Sequence, residues 1–189
     1  MRTYTVILDA CVLYPAPLRS YLMYLASTGL FIARWSDEIH DEWIRNLLKN
    51  DPDRDPKALQ RTRELMDANV PDALVYGYEG LIEGLDLPDE GDRHVLAAAI
   101  QGHAEGIITF NLKDFPNDTL SKFGISAIHP DEFLNDMFEL DPAACLLAAQ
   151  RHKNSLKKPP FSTDEYLNAL LKQKLPSFVS HLCKMSFTI

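Results

Sequence analysis

Short apolar runs and amphipathic stretches alternate along this chain. Val6, Ile7 and Leu8 read as a buried strand within residues 3–8, and Ile107, Ile108, Thr109 and Phe110 as a second within 106–110. Segments 30–34, 74–76 and 125–128 have the same character, and helical patterns separate all five. Such alternation predicts an α/β fold, a parallel sheet of about five strands with helices on both faces.

The helical stretches carry start signals. Ser36 is placed as an N-cap before Ile39, Trp43 and Leu47, which recur at four-residue spacing and leave Glu38 and Glu42 on one shared face. LPDEGDRHVLAAAIQGHAEG repeats the design: Asp89 and Asp92 stand three apart at a helix start, followed by the stripe Val95, Leu96, Ala98 and Ala99. Small residues there let the helix lie close to the sheet. A helix is expected over 17–28, and DPDRDP at 51–56 breaks the chain before a sparsely apolar helical run at 57–69 that belongs at the periphery. Pro130 and Asp131 open a helix to about residue 138. Beyond Asp141 the pattern predicts three more helices, with Pro142 and Pro176 in first turns and Ser162 or Thr163 as a cap. The chain therefore divides into a domain at 1–140 and a helical extension at 141–189.

Acids sit at the ends of these elements. Asp9 closes the first strand, Glu42 lies on a helix, Asp92 opens another, and Asn111 and Asp114 follow the 106–110 strand before Pro116. In open parallel sheets the carboxyl edge of the strands is where ligands bind. Two carboxylates gathered there repel by about 4 kcal/mol at roughly 4 Å and an effective dielectric near 20, so they need protons or a cation. Oxygen donors suit magnesium or manganese; Cys11, Cys145 and Cys183 are too scattered for a zinc site. Asp9 and Asp92 are the strongest candidates, because a carboxylate ending an apolar strand is costly unless paired or coordinated. Asp37, Glu38 and Asp41 read as solvated charges favoured by the helix dipole, and Asp89 as either a cap or a site residue. The six histidines show no metal-ligand spacing, and most read as surface or helix-face residues. Trp35 and Trp43 read as core or core-edge rings, with base stacking as the lesser alternative.

These segments resemble the PIN-domain ribonucleases and, within them, the VapC-like toxins of bacterial toxin-antitoxin pairs. The carriers are Asp9 in VILDACVLYP, the WS....E run ending at Glu42, Asp89 and Asp92 in D..D..VLAAA, and T.N.KDF from Thr109 to Phe115, spread over residues 3–138. The resemblance implies a PIN-like catalytic domain at 1–140 that cuts single-stranded RNA with Mg2+ or Mn2+. By position it assigns Asp9, Glu42 and Asp92 to the metal, with Asp114 as the fourth acid and Asn111 as a supporting oxygen donor. It also implies a small antitoxin protein as partner. One departure is Cys11, where many PIN domains carry Ser, Thr or Asn; it is expected to remove a donor beside the metal. A haloacid-dehalogenase-type phosphotransferase also uses a strand-ending Asp, but expects a second Asp where Cys11 stands. The alternative within the fold is a non-catalytic metal- or RNA-binding module.

Charge sharpens the division. Of 19 Lys/Arg and 27 Asp/Glu, the extension holds seven and three, leaving twelve and twenty-four in the first 140 residues; the net charges are +4 and -12. An acidic body is awkward for a nuclease, because binding of phosphates draws on positive surface. Bound cations would offset part of it, and Arg45, Lys49, Arg54, Lys57, Arg61 and Arg63, or Arg151, Lys153, Lys157 and Lys158, are candidates to guide RNA. Arg19 is a further candidate for a phosphate. The leucines Leu167, Leu170 and Leu171 of the extension leave three options: packing on the parent domain, antitoxin binding, or a homodimer. Sparse, odd cysteines and the lack of long apolar runs or a signal-like start suggest a cytoplasmic protein without membrane contact.

Overall fold

The computed structural model describes residues 3–189. In chain order the elements are β1 (Thr5–Leu8), α1 (Ala10–Leu13), α2 (Ala16–Ala26), β2 (Ile32–Arg34), α3 (Asp37–Asn50), α4 (Pro56–Asn69), α5 (Arg93–Gln101), β3 (Gly106–Ile108), α6 (Asn117–Leu120), β4 (Ser126–Ile128), α7 (Pro130–Leu140), α8 (Pro142–Ser155), α9 (Thr163–Leu171) and α10 (Pro176–Lys184). Short 3-10 turns span Glu90–Asp92 and Leu112–Asp114.

The sheet has four parallel strands in the order β2-β1-β3-β4. From β1 the chain moves outward to β2, then returns past β1 to β3, so the direction of winding reverses between β1 and β3. Their carboxyl ends flank the crevice where open α/β sheets bind ligands. Val6, Ile7, Leu8, Ile107 and Ile108 are fully buried, as expected for parallel strands covered on both faces.

The fifth expected strand, 74–76, shrinks to a single parallel bridge between Leu74 and Trp35. Asp72 and Gly77 both have positive φ, at 63° and 74°, and bend the chain on either side of it. Only the two bonds from Trp35 N to Ala73 O and from Val75 N to Trp35 O remain, each 2.9 Å.

Ser36 caps α3 by accepting the Ile39 N–H at 3.2 Å, and Ile39, His40, Trp43 and Leu47 turn inward. Trp43 Nε1 donates to His40 Nδ1 at 3.0 Å, so Nδ1 is the unprotonated nitrogen and Nε2 carries the proton that meets Asp67 Oδ1 at 3.0 Å. Trp35 Nε1 donates to that same oxygen at 2.8 Å. This relay ties α3 and β2 to α4, and Arg63 adds bonds to Asp37 (2.5 Å) and Asp41 (2.7 Å). Otherwise α4 buries only Leu59 and Met66, the peripheral placement its sparse apolar pattern predicts.

The extension forms the three expected helices and packs on the parent domain. Tyr21 on α2 donates to Cys145 O at 3.1 Å, and its ring lies 5.1 Å from that of Phe178. His152 stacks on Tyr24 at 5.6 Å and meets the Tyr166 hydroxyl at 3.1 Å. Burial holds His152 neutral, with its pKa pulled down to about 4. Leu167 and Leu170 are buried, while Leu171 is exposed. A capping box of Ser162 and Glu165 starts α9.

Asp131, at the start of α7, reaches across to α10. Its two oxygens accept the N–H groups of Ser177 (3.0 Å) and Phe178 (2.9 Å), which no helical carbonyl can satisfy. Asp131→Ala is expected to lower stability by about 1–2 kcal/mol, the worth of a strong N-cap, in urea titrations at neutral pH.

Candidate metal centre

Asp9 follows β1 directly and is 3% exposed. Its Oδ2 accepts the Thr109 hydroxyl at 2.7 Å and the Cys11 thiol at 3.0 Å. Each donor has one proton, and each in turn accepts a backbone N–H: Asn111 N to Thr109 Oγ1 at 3.0 Å, and Phe110 N to Cys11 Sγ at 3.3 Å. Two amides past the end of β3 thus hold the carboxylate past the end of β1. The expectation that Cys11 removes a donor is corrected, because the thiol supplies one from the same position. Burial raises the pKa of both groups, and for Asp9 the Thr109 and Cys11 bonds oppose that rise.

Glu42 comes from α3, whose cap is Ser36. Its Oε2 stands 3.3 Å from His94 Nε2, and Glu38 Oε2 lies 3.9 Å from His94 Nδ1. His94 is 6% exposed, and its Nδ1 has no hydrogen-bond partner among the described residues. Burial pulls the His94 pKa down, but its bond to Glu42 and the charges of Glu38, Glu42 and Asp9 outweigh that and raise it. Reading most of the histidines as surface or helix-face residues missed the buried His40 and His152, and it missed His94 as well. Its place two residues after Asp92 gives only a faint signal; docking of α5 beside α3 makes the contact.

Asp92 ends the 3-10 turn that leads into α5 and is half-buried. Its pKa is pushed up to about 7, first by burial and then by the charges of Asp9, Asp89, Asp114 and Glu42. Three acids from separate parts of the chain, and Asp89 from its own turn, therefore act on Asp92. Asp89 caps the turn through the Gly91 N–H at 2.8 Å, so it serves as a cap while its charge reaches Asp92. Asp114 is half-buried on the turn after β3, and Asn111 stands exposed at its start.

Among the described residues, no three Asp, Glu, His or Cys side chains are close enough together to enclose a metal ion unaided. The donor chemistry nonetheless fits a hard divalent cation. Oxygen atoms dominate, their charge is uncompensated at Asp92, and magnesium binds through one or two carboxylates while keeping several waters.

Residues 5–113 match the family model described as PIN domain. The chain belongs to the PIN-domain family. Residues 130–184 match a second model, the VapC50 C-terminal domain, which begins at α7. A curated relative from Mycobacterium tuberculosis, named "Putative ribonuclease VapC50", is 40% identical over 108 residues, covering 57% of this chain and 63% of that protein. The chain thus spans less than two thirds of that relative's length. No solved structure matches it.

Within this PIN domain, the proposed phosphate ligand Arg19 is turned inward, which corrects its reading as an RNA contact. Its Nη1 donates to Leu13 O at 2.6 Å and Tyr14 O at 3.2 Å, closing the end of the single-turn α1, and its guanidinium lies 4.7 Å from the Trp43 ring centroid. Burial, with a smaller push from Arg54, lowers its pKa to about 10. Both tryptophans are fully buried in the core. Arg45 and Lys49 are exposed along α3.

The raised pKa of Asp92 has a definite sign in stability. Unfolding returns the carboxyl from about 7 to its ordinary value of 3.8, so between those pH values the unfolded chain binds fewer protons. Cation-free stability from this group is therefore lost as pH rises from 4 towards 7. Asp92→Asn is expected to raise stability in chelator at pH 8 by roughly 1 kcal/mol after allowance for partial exposure, and the melting temperature with it. The difference from wild type should vanish near pH 4, and added magnesium should raise the melting temperature of wild type far more than that of the variant.

Proposed function

We propose that this PIN-domain protein is a divalent-metal-dependent endoribonuclease that hydrolyses phosphodiester bonds in single-stranded RNA, and that it is the toxin of a toxin-antitoxin pair. The observation that carries this reading is that the charges of Asp9, Glu42, Asp89 and Asp114 all bear on Asp92, with Asp9 directly after β1 and Asp114 on the turn after β3. The relative named as a ribonuclease supports the reaction class. Among the described residues no helix is long and apolar enough to cross a membrane.

Asp9, Glu42, Asp92 and Asp114 would hold Mg2+ or Mn2+, with Asn111 in support. When bound, the cation supplies Lewis acidity towards a phosphate oxygen and lowers the pKa of water. The chain's own part is placement. Thr109 and Cys11 fix the Asp9 carboxylate, and His94 restrains Glu42 through Oε2. With its pKa raised to about 7, Asp92 would give up its proton to hold the cation, and the cation would offset the repulsion from the neighbouring acids. Arg45 and Lys49, on the same helix as Glu42, extend a positive track for the RNA backbone.

A small antitoxin is the proposed partner, covering the acidic cleft with a segment whose arginine pairs with the carboxylates. Homodimer formation and a cytoplasmic location belong to the same proposal, as does the division into a catalytic domain at 1–140 and a basic extension at 141–189. The second reading, a non-catalytic metal- or RNA-binding module, predicts cation or RNA binding without cutting.

Incubating the purified chain with a labelled RNA pool containing tRNA separates the two. Cutting in magnesium or manganese, abolished by chelator and by Asp9→Asn or Asp92→Asn in folded protein, is the expected result. Divalent binding with no cutting across the pool would favour the binding module. His94→Ala is expected to slow cutting by about tenfold to a hundredfold, the usual effect of removing a residue that orients a metal ligand, with His94→Gln recovering part of it.

A further inference from the structure

The acidic body and basic extension meet at a place the mechanism above leaves unused. Phe110, just past the end of β3, lies edge-on to His129 at the end of β4, with ring centroids 5.2 Å apart and planes at 74°. Both rings are half-buried. Nζ of Lys174, from the turn between α9 and α10, stands over the Phe110 ring at 5.8 Å.

That turn is tightly held. The N–H groups of Gln173 and Lys174 donate to Leu170 O (2.9 Å) and Leu171 O (3.1 Å), and Leu175 is fully buried. On the far side, Asp131 grips the start of α10 through Ser177 and Phe178, and Asp131 itself follows His129 by two residues. The strand ends and the turn are therefore one construction.

Lys174 has φ 61°, a left-handed backbone that glycine adopts freely and a lysine does not. Turn geometry alone favours glycine here. Its contact with Phe110 lies near the roughly 6 Å limit of cation–π attraction and is a weak reason for a lysine. The ammonium is exposed beside a site whose parent domain carries a net charge of -12. Phe110 also belongs to the catalytic framework, since its amide donates to Cys11, which donates to Asp9.

We propose that Phe110, His129 and Lys174 form a subsite for one nucleotide of single-stranded RNA beside the catalytic acids, with the base against the aromatic pair and a phosphate on Lys174. It rests on the ribonuclease reading above. Aromatic faces accept any unstacked base, and an adjacent cation supplies the local positive potential that the acidic body lacks. The extension thereby completes the substrate track of the domain it packs on.

The test uses the full chain and a labelled single-stranded RNA of mixed sequence. Binding is read by fluorescence anisotropy in an Asp9→Asn background over a range of salt, and cutting by steady-state kinetics without that substitution. Lys174→Gly is expected to raise Kd and KM about five- to tenfold and to reduce the salt slope by about 0.7, with kcat changed less than about twofold. Its melting temperature should stay level or rise, because glycine relieves the turn. Phe110→Leu should weaken binding without altering the salt slope, and Phe110→Tyr should restore it. Lys184→Gln, an equal charge change at the far end of α10, should do neither. The subsite is overturned if Lys174→Gly binds as wild type, if Lys184→Gln weakens binding equally, or if affinity falls only alongside a lower melting temperature. The binding arm needs no cutting, so a wild-type chain that binds through Lys174 yet cuts nothing sinks the nuclease reading alone.

Discussion

The hydrogen bond from Thr109 to Asp9 crosses between two strand ends, and it exists because Leu8 lies opposite Ile108 in a parallel register. A slip of one residue would reverse which face every side chain of the strand meets. With Val6, Ile7 and Leu8 buried against Ile107 and Ile108, a slip towards the ladder would draw the Asp9 carboxylate in among apolar side chains, so the apolar core sets its aim. Thr109 and Cys11 then bind one oxygen of Asp9 and are themselves held by the amides of Asn111 and Phe110. Chains of this kind polarise one another and stiffen the group at their end.

Once Asp9 is placed, charge governs the rest of the centre. Glu42 and Asp92 arrive on helices whose apolar faces are satisfied elsewhere, by Trp43 and Leu47 on α3 and by Val95 to Ala99 on α5. Packing thus forces together acids that repel one another. The protein answers in part with His94, a buried cation-capable ring between α3 and α5, and in part with the raised pKa of Asp92. The negative charge that remains is what the proposed cation would offset.

The extension is structural before it is anything else. Tyr21, His152, Tyr166 and Phe178 interlock, and Asp131 joins the two parts by capping a helix of one from the first turn of another. A basic segment fixed in this way brings its charge to a defined edge of an acidic body. Had the three helices been tethered loosely, their lysines would act only as a diffuse field, screened within about 8 Å at physiological salt.

Much of this was legible in the order of residues. Period and capping signals determine the strands, the Ser36 helix, the helix after Asp92 and the three helices of the extension, because they depend on local backbone preference and on which side of an element is apolar. Asp9, Asp92 and Asp114 stand out for the same reason, as charges at or just past the ends of apolar elements, and Glu42 as an acid on the face it shares with Glu38. Only tertiary structure decided the roles of His94, Cys11 and Arg19, whose partners lie on other elements or around a single short turn. It also reduced segment 74–76 to one bridge, because the left-handed residues at 72 and 77 act through three-dimensional direction and not through hydrophobic pattern. Local sequence thus determined which groups are presented at the sheet edge. Long-range packing decided which of them meet, because burial, hydrogen bonding and Coulomb interaction depend on distances that no spacing along the chain encodes.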